Sequence, residues 1–188
     1  MSEDASIRAP MPENVTLEHE ADGLRVSYRW FSPKYVLLLL FCAVWGSIVV
    51  VWYRTAFGSL AHDDIVRWFP LLHVAVGLHL AYATLAGFVN HTTVRATSSQ
   101  LTVRHGPVPW FGGRTIPTSE IAQLYREAIT STLNDQTKTR YRLSAVLRDE
   151  RKKKLLTCDS GDVALYIEQD VEHQLGIADR HVAGEMPK

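Results

Sequence analysis

The fold is decided by two apolar runs, Tyr35–Tyr53 (YVLLLLFCAVWGSIVVVWY) and Trp68–Asn90 (WFPLLHVAVGLHLAYATLAGFVN), neither of which contains Asp, Glu, Lys or Arg. Each run, as an α-helix that rises about 1.5 Å per residue, is long enough to cross a hydrocarbon core of ~30 Å. The sequence therefore predicts a transmembrane hairpin over residues 34–90. A short polar segment precedes this hairpin and a longer one follows it.

The composition excludes several classes of protein. Outside the apolar runs the chain is long enough for one small soluble domain but not for two. Lys and Arg together number 20, as do Asp and Glu, so the chain lacks the basic excess typical of nucleic-acid-binding proteins. We therefore expect no nucleic-acid partner. The two cysteines, Cys42 and Cys158, fall in the first apolar run and in the polar part, which argues against a disulfide.

Basic residues near the apolar runs predict the orientation of the hairpin. Those outside the hairpin are Arg25, Arg29 and Lys34 before the first run, and Arg95 and Arg104 after the second. The connecting segment carries two arginines that are offset by two aspartates. By the positive-inside rule both termini lie in the cytoplasm. The first run is too long for the apolar part of a cleaved signal peptide, so we expect an uncleaved signal anchor.

Two short strands are predicted before the first apolar run, in residues 14–33, after a flexible tail over residues 1–13. Val15–Glu20 (VTLEHE) and Leu24–Trp30 (LRVSYRW) alternate apolar and polar residues around an Asp-Gly turn, which indicates a β-hairpin. Two strands alone are rarely stable. We therefore expect them to pair with strands that follow the second run, so that the membrane hairpin interrupts one domain.

Residues 91–177 are predicted to complete that domain with about five strands and one helix. Alternating apolar and polar residues indicate the strands. A loop rich in proline and glycine, Gly106–Gly113 (GPVPWFGG), cannot form regular structure. Ile121–Ile129 fits either a strand or a helix. The other predicted strands are residues 91–96, 101–105, 114–117, 140–148 and 153–158.

A C-terminal helix is predicted over Asp162–Leu175, because apolar residues recur there at helical spacing. Asp159 or Ser160 is expected to cap its N-terminus, and Gly176 to end it in a left-handed conformation. Residues 178–188 are expected to form a polar tail. The predicted fold class is thus an α+β membrane protein, with a two-helix transmembrane hairpin inserted in an antiparallel β-sandwich or barrel that carries a C-terminal helix.

Three stretches of the chain resemble uncharacterised bacterial membrane proteins that carry a pleckstrin-homology-like (PH-like) domain. They are Leu101–Tyr125 (LTVRHGPVPWFGGRTIPTSEIAQLY), residues 141–156 (YRLSAVLRDERKKKLL) and residues 175–185 (LGIADRHVAGE). The resemblance covers most of residues 14–185. It implies a PH-like fold with a binding role, often for phosphoinositides or peptides, and no catalytic residue. The first hairpin departs from the lipid-binding members because acidic residues stand where a basic cup is expected.

No constellation of catalytic residues is visible in the sequence. It lacks the spacing of a phosphate-binding loop, the G-x-S-x-G turn of a serine hydrolase and the ligand spacing of a zinc site. We therefore expect a protein that is not an enzyme and that holds no metal ion.

Two histidines in the second apolar run, His73 and His79, are candidates for cofactor binding. They are six residues apart, so on a helix they point about 120° from one another and cannot share one metal ion. Ala75 and Ala83 flank His79 one turn away on either side and leave room for a flat macrocycle, as in a haem or a chlorophyll-type pigment. The alternative is a neutral histidine that hydrogen-bonds to a neighbouring helix.

Two pairs of small residues at four-residue spacing predict close helix contacts, either within the hairpin or with a partner helix. They are Ala43 and Ser47 in the first run and Ala83 and Gly87 in the second.

Two further surfaces are candidates for interaction. Trp110 and Phe111 on the Gly106–Gly113 loop either reach the membrane interface or a partner protein, or close the end of the sheet. A run of basic residues at a hairpin tip either contacts anionic lipid headgroups or forms a solvated turn. This run is Arg151, Lys152, Lys153 and Lys154.

With the resemblance, which implies a bacterial inner membrane, the hypothesis that best fits these patterns is a non-enzymatic accessory or scaffolding subunit that stabilises a larger membrane protein complex. Respiratory and photosynthetic assemblies are candidate hosts, and the expected partners are membrane lipids and other membrane protein subunits. Two alternatives stay open: a stand-alone lipid- or peptide-binding membrane sensor, and a membrane protein that binds haem or pigment through His79.

Overall fold

The computed structural model describes residues 10–59, 64–133 and 136–177. These residues form two compact units, one rich in β-sheet and one helical. The predicted C-terminal tail, residues 178–188, lies outside the described residues, and so does most of the predicted N-terminal tail, residues 1–13.

The larger sheet of the sheet-rich unit has five strands, which lie in chain order from one edge to the other. Apolar residues alternate along these strands, so that one face is buried and the other meets solvent. The strands are β1 (Val15–Glu20), β2 (Gly23–Arg29), β3 (His91–Thr97), β4 (Gln100–Gly106) and β5 (Arg114–Pro117).

Two long helices, α1 (Lys34–Ser59) and α2 (Asp64–Val89), lie in the chain between β2 and β3. These two strands nevertheless pair directly with one another, from Gly23 opposite Thr97 to Arg29 opposite His91. The prediction that the first two strands join the later ones is therefore confirmed. The chain leaves the sheet at the end of one strand and returns at its immediate neighbour.

The smaller sheet has three antiparallel strands, β6 (Ile121–Leu133), β7 (Gln136–Leu147) and β8 (Lys152–Cys158). Ile121–Ile129, which fits a strand or a helix by sequence, is the first part of β6, so six strands follow α2 in the described residues. The strand continues past Ile129 because its threonines favour extended backbone and pair with threonines of β7, Thr130 with Thr139 for example.

A third helix, α3 (Gly161–Leu175), follows β8, and a single 3₁₀ turn, Thr118–Glu120, precedes β6. Ser160 precedes the helix in an extended conformation and is its N-cap residue, although its side chain makes no capping hydrogen bond. Gly176 is left-handed with φ 62°, and the Ile177 N–H donates to the Glu172 carbonyl over 3.0 Å. The helix therefore ends at a left-handed glycine, as predicted. The Ile177 N–H also satisfies a carbonyl of the last turn that has no partner within the helix.

The core of the sheet-rich unit is one cluster of apolar side chains from both sheets and from α3. The helix contributes Ala164, Ile167 and Val171, as its spacing predicts. β7 contributes Leu143 and Ala145 from its alternating face. The α+β class is therefore confirmed, with two antiparallel sheets and three α-helices in the described residues.

The helical unit contains α1, α2 and the short segment Gly106–Pro109. Within the described residues, two helical stretches are long and apolar enough to cross a membrane: Lys34–Thr55, with mean hydropathy 2.4, and Pro70–Val89, with 1.6. α1 continues past the C-terminal end of the first predicted run, and α2 begins before the N-terminal end of the second. At its C-terminal end α2 stops at Val89, so Asn90, the last residue of the second predicted run, follows the helix.

Candidate functional site

Each of α1 and α2 has an inner face, toward the other helix, and an outer face. On the inner faces the Trp45 indole N–H donates to the His73 carbonyl over 3.1 Å, and Cys42 Sγ lies 3.7 Å from Thr84 Oγ1. The outer faces carry exposed large apolar side chains. They include Leu37, Leu40, Val44, Ile48 and Val51 on α1, and Leu72, Leu78 and Leu85 on α2.

The structure separates the two pairs of small residues. Gly87 is buried on the inner face, where a side chain would collide with the ring of Tyr35, and Ala83 is half-buried. Ala43 and Ser47 are exposed on the outer face of α1. The Ser47 hydroxyl donates to the Ala43 carbonyl over 2.8 Å, which satisfies it within its own helix. The hairpin therefore uses the pair on α2 for its own packing and leaves the pair on α1 outside.

The two candidate histidines also separate. The ring of His73 is half-buried and stacks on the indole of Trp45, with centroids 5.6 Å apart and planes 22° apart. His73 is thus part of the contact between the helices. His79 is exposed on the outer face of α2, where Ala75 is exposed as well. It lies near the middle of the apolar stretch Pro70–Val89.

The end of α2 holds the segment Gly106–Pro109 through one side-chain amide. Asn90 is 1% exposed and follows the last residue of the helix. Its Nδ2 donates to the Val108 carbonyl over 2.9 Å, and its Oδ1 accepts from the Val108 N–H over 2.8 Å. One asparagine side chain thereby satisfies both backbone groups of Val108, as a neighbouring strand would.

A second side chain of α2 binds the next residue of the same segment. The Tyr82 hydroxyl donates to the Pro109 carbonyl. Pro107 and Pro109 have no backbone N–H to satisfy. We call residues 107–109, held by Asn90 and Tyr82, the clamped segment.

The candidate aromatic pair follows the clamped segment directly in the chain. Trp110 is 36% exposed and Phe111 is 90% exposed, and their ring centroids lie 6.5 Å apart. The Phe111 side chain therefore does not close the end of the sheet.

The candidate basic residues at the tip of the β7–β8 hairpin contact neighbours in the sheet-rich unit. Arg151 pairs with Asp149, Nη2 to Oδ2 over 2.6 Å, and Lys153 lies 4.0 Å from a Glu120 carboxylate oxygen. The Lys152 ammonium lies 4.8 Å from the centre of the Tyr125 ring. Acidic side chains therefore offset part of the positive charge of this basic run. Contact between anionic lipid headgroups and the four basic residues, Lys154 included, stays a prediction.

A polar chain of side chains runs through the sheet-rich unit. Thr92 Oγ1 lies 2.9 Å from His105 Nδ1, and the Tyr28 hydroxyl is hydrogen-bonded to both Thr92 and Cys158. Burial lowers the pKa of His105, raises that of Tyr28, and raises the pKa of Cys158 to about 12. The Cys158 thiol is therefore protonated at neutral pH and is a poor nucleophile. The shifts favour the uncharged form of all three titratable groups at neutral pH.

A buried ion pair joins β6 to α3. Arg126 Nε lies 3.6 Å from Glu168 Oε2, with the two side chains 6% and 1% exposed. Arg126 Nη1 also donates to the Gly161 carbonyl at the start of α3 over 3.3 Å. Glu172, one turn further along α3, is buried as well. The helix is thus held to the sheet by charge in addition to its apolar face.

Sequence reasoning missed the residues of the clamp and of this ion pair. Glu168 falls on the same face of α3 as Ala164 and Val171. A carboxylate within this apolar face was the sequence signal that could have indicated a buried ion pair. Asn90 offers a weaker signal, a lone amide at the end of an apolar run. Nothing in the sequence connects it to Val108.

No group of three or more His, Cys, Asp or Glu side chains in the described part of the chain could hold a metal ion. No protein-family model matches the chain, and no curated protein matches it. The candidate site therefore rests on the geometry of the helical unit.

Proposed function

We propose that this protein is an integral protein of a bacterial inner membrane, in which α1 and α2 cross the bilayer and both termini lie in the cytoplasm. The exposed surface of the two helices supports this. None of the most apolar stretch of α1 and 17% of that of α2 is buried. The core helix of a soluble protein is mostly buried, and a water-soluble chain rarely exposes so large an apolar surface.

The pairing of β2 with β3 supports the hairpin topology. If the helices cross a membrane, Arg29 and His91 must lie on the same side, since they are opposite one another in one sheet. An even number of crossings follows from this pairing without any count of charges. The same pairing argues against a cleaved signal, because cleavage at α1 would remove two strands from the sheet.

A PH-like identity for the sheet-rich unit belongs to the same proposal. Its support is a pair of antiparallel sheets followed by one helix that packs on both. Such a domain binds partners more often than it catalyses reactions. The proposal is therefore of a binding protein and not of an enzyme.

The role proposed is that of an accessory or scaffolding subunit of a larger membrane protein complex. A single observation carries it: His79 is exposed on the outer face of α2, near the middle of the apolar stretch. Ionisable side chains at that depth almost always face protein or a cavity, because lipid tails offer them no hydrogen bond. The hairpin itself does not cover His79, so another membrane protein subunit is the occupant that we propose.

The experiment compares His79→Leu with the wild-type chain and with Leu78→Ala as a matched control. Leu78 is adjacent and 67% exposed, so its truncation changes lipid-facing surface without removing a polar group. Extraction from native membranes in mild detergent, followed by native mass spectrometry, should give a stoichiometric complex for the wild type and for Leu78→Ala. We expect His79→Leu to release the chain as a 21.2 kDa monomer.

Two results would contradict the accessory role at this face. One is a wild-type chain that emerges alone, and the other is a His79→Leu chain that keeps the same complex. Absorption spectra of the same samples test the alternative: a haem or pigment band that His79→Leu loses would assign His79 as a cofactor ligand. Binding to anionic vesicles by a chain that emerges alone would favour the sensor.

A further inference from the structure

In the clamped segment, residues 107–109, almost all backbone N–H and C=O groups are already hydrogen-bonded to protein side chains. Its prolines contribute no N–H group, so Val108 supplies the only one in the segment. Asn90 satisfies that N–H and the Val108 carbonyl, and Tyr82 satisfies the Pro109 carbonyl. Three of the four backbone polar groups in the segment are therefore bound by side chains of α2 or by the residue that follows it.

An irregular loop in water does not need this arrangement, since water satisfies exposed backbone groups at little cost. In the hydrocarbon region the requirement is strict, because an unsatisfied N–H or C=O costs several kcal/mol there. Non-helical backbone is tolerated at membrane depth only where protein groups take over the role of water. The clamped segment meets this condition.

The two clamping residues also fix where the segment runs. Asn90 follows the end of α2, and Tyr82 lies eight residues earlier, about 12 Å back along the helix axis. The segment thus runs from the end of α2 back along its apolar surface. Trp110 and Phe111 follow Pro109 directly in the chain.

The charge pattern of the loop agrees with a lipid environment. No residue of Gly106–Gly113 is charged, and the exposed arginines Arg104 and Arg114 stand on either side of it. Arginines in such positions reach anionic headgroups while the residues between them lie deeper. Tryptophan is enriched at this level of membrane proteins.

We propose that the Gly106–Gly113 loop enters the membrane interface beside α2 and places Phe111 among the lipid acyl chains near the headgroups. The Phe111 side chain thus contacts lipid and not a protein partner. The inference rests on the proposed membrane crossing of α1 and α2 and deepens it, because it adds a contact between the loop and lipid.

The test is a depth measurement with a nitroxide spin label in the full chain. Phe111→Cys is labelled in a Cys42→Ala background, since the Cys158 thiol is buried and its raised pKa keeps it unreactive. Reference labels are placed at Val44 on the outer face of α1, which is 61% exposed, and at Ser98 in the exposed turn between β3 and β4. Each protein is reconstituted in vesicles of phosphatidylethanolamine and phosphatidylglycerol, and its collisions with oxygen and with a water-soluble nickel chelate are measured.

Oxygen concentrates in the acyl chains and the nickel chelate stays in water. The ratio of oxygen to nickel collisions should therefore be several-fold higher at position 111 than at position 98, and lower than at position 44. Asn90→Ala, or the milder Tyr82→Phe if the first variant does not fold, should shift the ratio at position 111 toward that at position 98. Phe111 is exposed, so its replacement leaves the fold intact.

The outcomes separate the two proposals. A water-like ratio at position 111 with a deep position 44 overturns the loop inference and leaves the membrane crossing in place. A label at position 111 that neither reagent reaches indicates a protein contact and also overturns it. A water-like ratio at position 44 itself overturns the proposed membrane crossing, and the loop inference with it.

Discussion

At the scale of single residues, the ion pair of Arg126 and Glu168 is a feature of the sheet-rich unit in which loss of one partner should be costly. Both side chains are almost fully buried between β6 and α3. The desolvation of two charges offsets much of their attraction, so such a pair contributes little net stability. Removal of one partner leaves the other charge buried without this counter-charge, which costs far more than the pair contributes.

Arg126→Met should therefore lower the free energy of unfolding by about 3–5 kcal/mol. The double variant Arg126→Met/Glu168→Leu, which removes both charges, should recover most of that loss. Denaturant unfolding monitored by the circular dichroism of the sheets measures both effects. The matched control is Arg142→Met, whose partner Glu127 lies 2.9 Å away in a half-exposed pair and whose loss should cost about 0–1 kcal/mol. Equal losses for Arg126→Met and Arg142→Met would show that burial of the first pair has no energetic role.

At the scale of elements, the tightest approach between α1 and α2 at any of their described glycines is at Gly87. Gly87 lies against the ring of Tyr35, whereas Gly46 on α1 has no described atom within 4 Å of the position that a Cβ would take. The two glycines are thus a natural pair of probes for the helix interface.

Gly87→Ala should destabilise the hairpin by about 1–3 kcal/mol, because the added methyl group forces the Tyr35 ring and the helix out of place. Gly46→Ala should be neutral or slightly stabilising, since alanine favours a helix over glycine. Unfolding of the reconstituted chain by increasing mole fractions of dodecyl sulfate gives both values. The interface described above would be wrong if the two variants had the same midpoint.

The elements also show what the sequence can and cannot predict. Local periodicity and length were sufficient for α1, α2, α3 and the alternating strands, including the left-handed ending at Gly176. Periodicity could not decide between helix and strand for Ile121–Ile129, where cross-strand pairing with β7 decides the outcome. It also could not tell which small-residue pair faces inward, because that depends on how one apolar helix is rotated against another. The contact between Asn90 and Val108 could not be predicted from local sequence patterns, since it joins residues eighteen positions apart across an irregular loop.

At the scale of the whole molecule, the pairing of β2 with β3 means that the sheet does not need the helices to set its register. Residues directly opposite in an antiparallel pair lie about 5 Å apart. Arg29 and His91 form such a pair at the point where the helical segment leaves and returns. A two-residue turn can span this gap.

Replacement of residues 30–90 by Asn-Gly should therefore give a soluble protein in which β2 and β3 form an ordinary hairpin. Water would take over the hydrogen bonds that Asn90 and Tyr82 make with the clamped segment. The measurement is a dispersed amide spectrum by nuclear magnetic resonance, together with cooperative thermal unfolding. As a control, replacement of residues 27–90 by the same turn would remove the outer part of β2 and should abolish folding. A shortened chain that is insoluble or lacks dispersed amide signals would show that the sheets depend on the helices for stability.

The position of the helical segment between two paired strands also has a consequence for biogenesis. Because β3 follows α2 directly in the chain, β2 must wait until both proposed membrane crossings are complete before it can pair with β3, so closure of the larger sheet comes late. A chain whose second crossing fails would leave β2 and β3 on opposite sides of the bilayer, where they cannot meet. Such a chain would present unpaired strand edges on each side, which proteases and chaperones recognise. The larger sheet would thus be completed only in chains in which both helices had inserted.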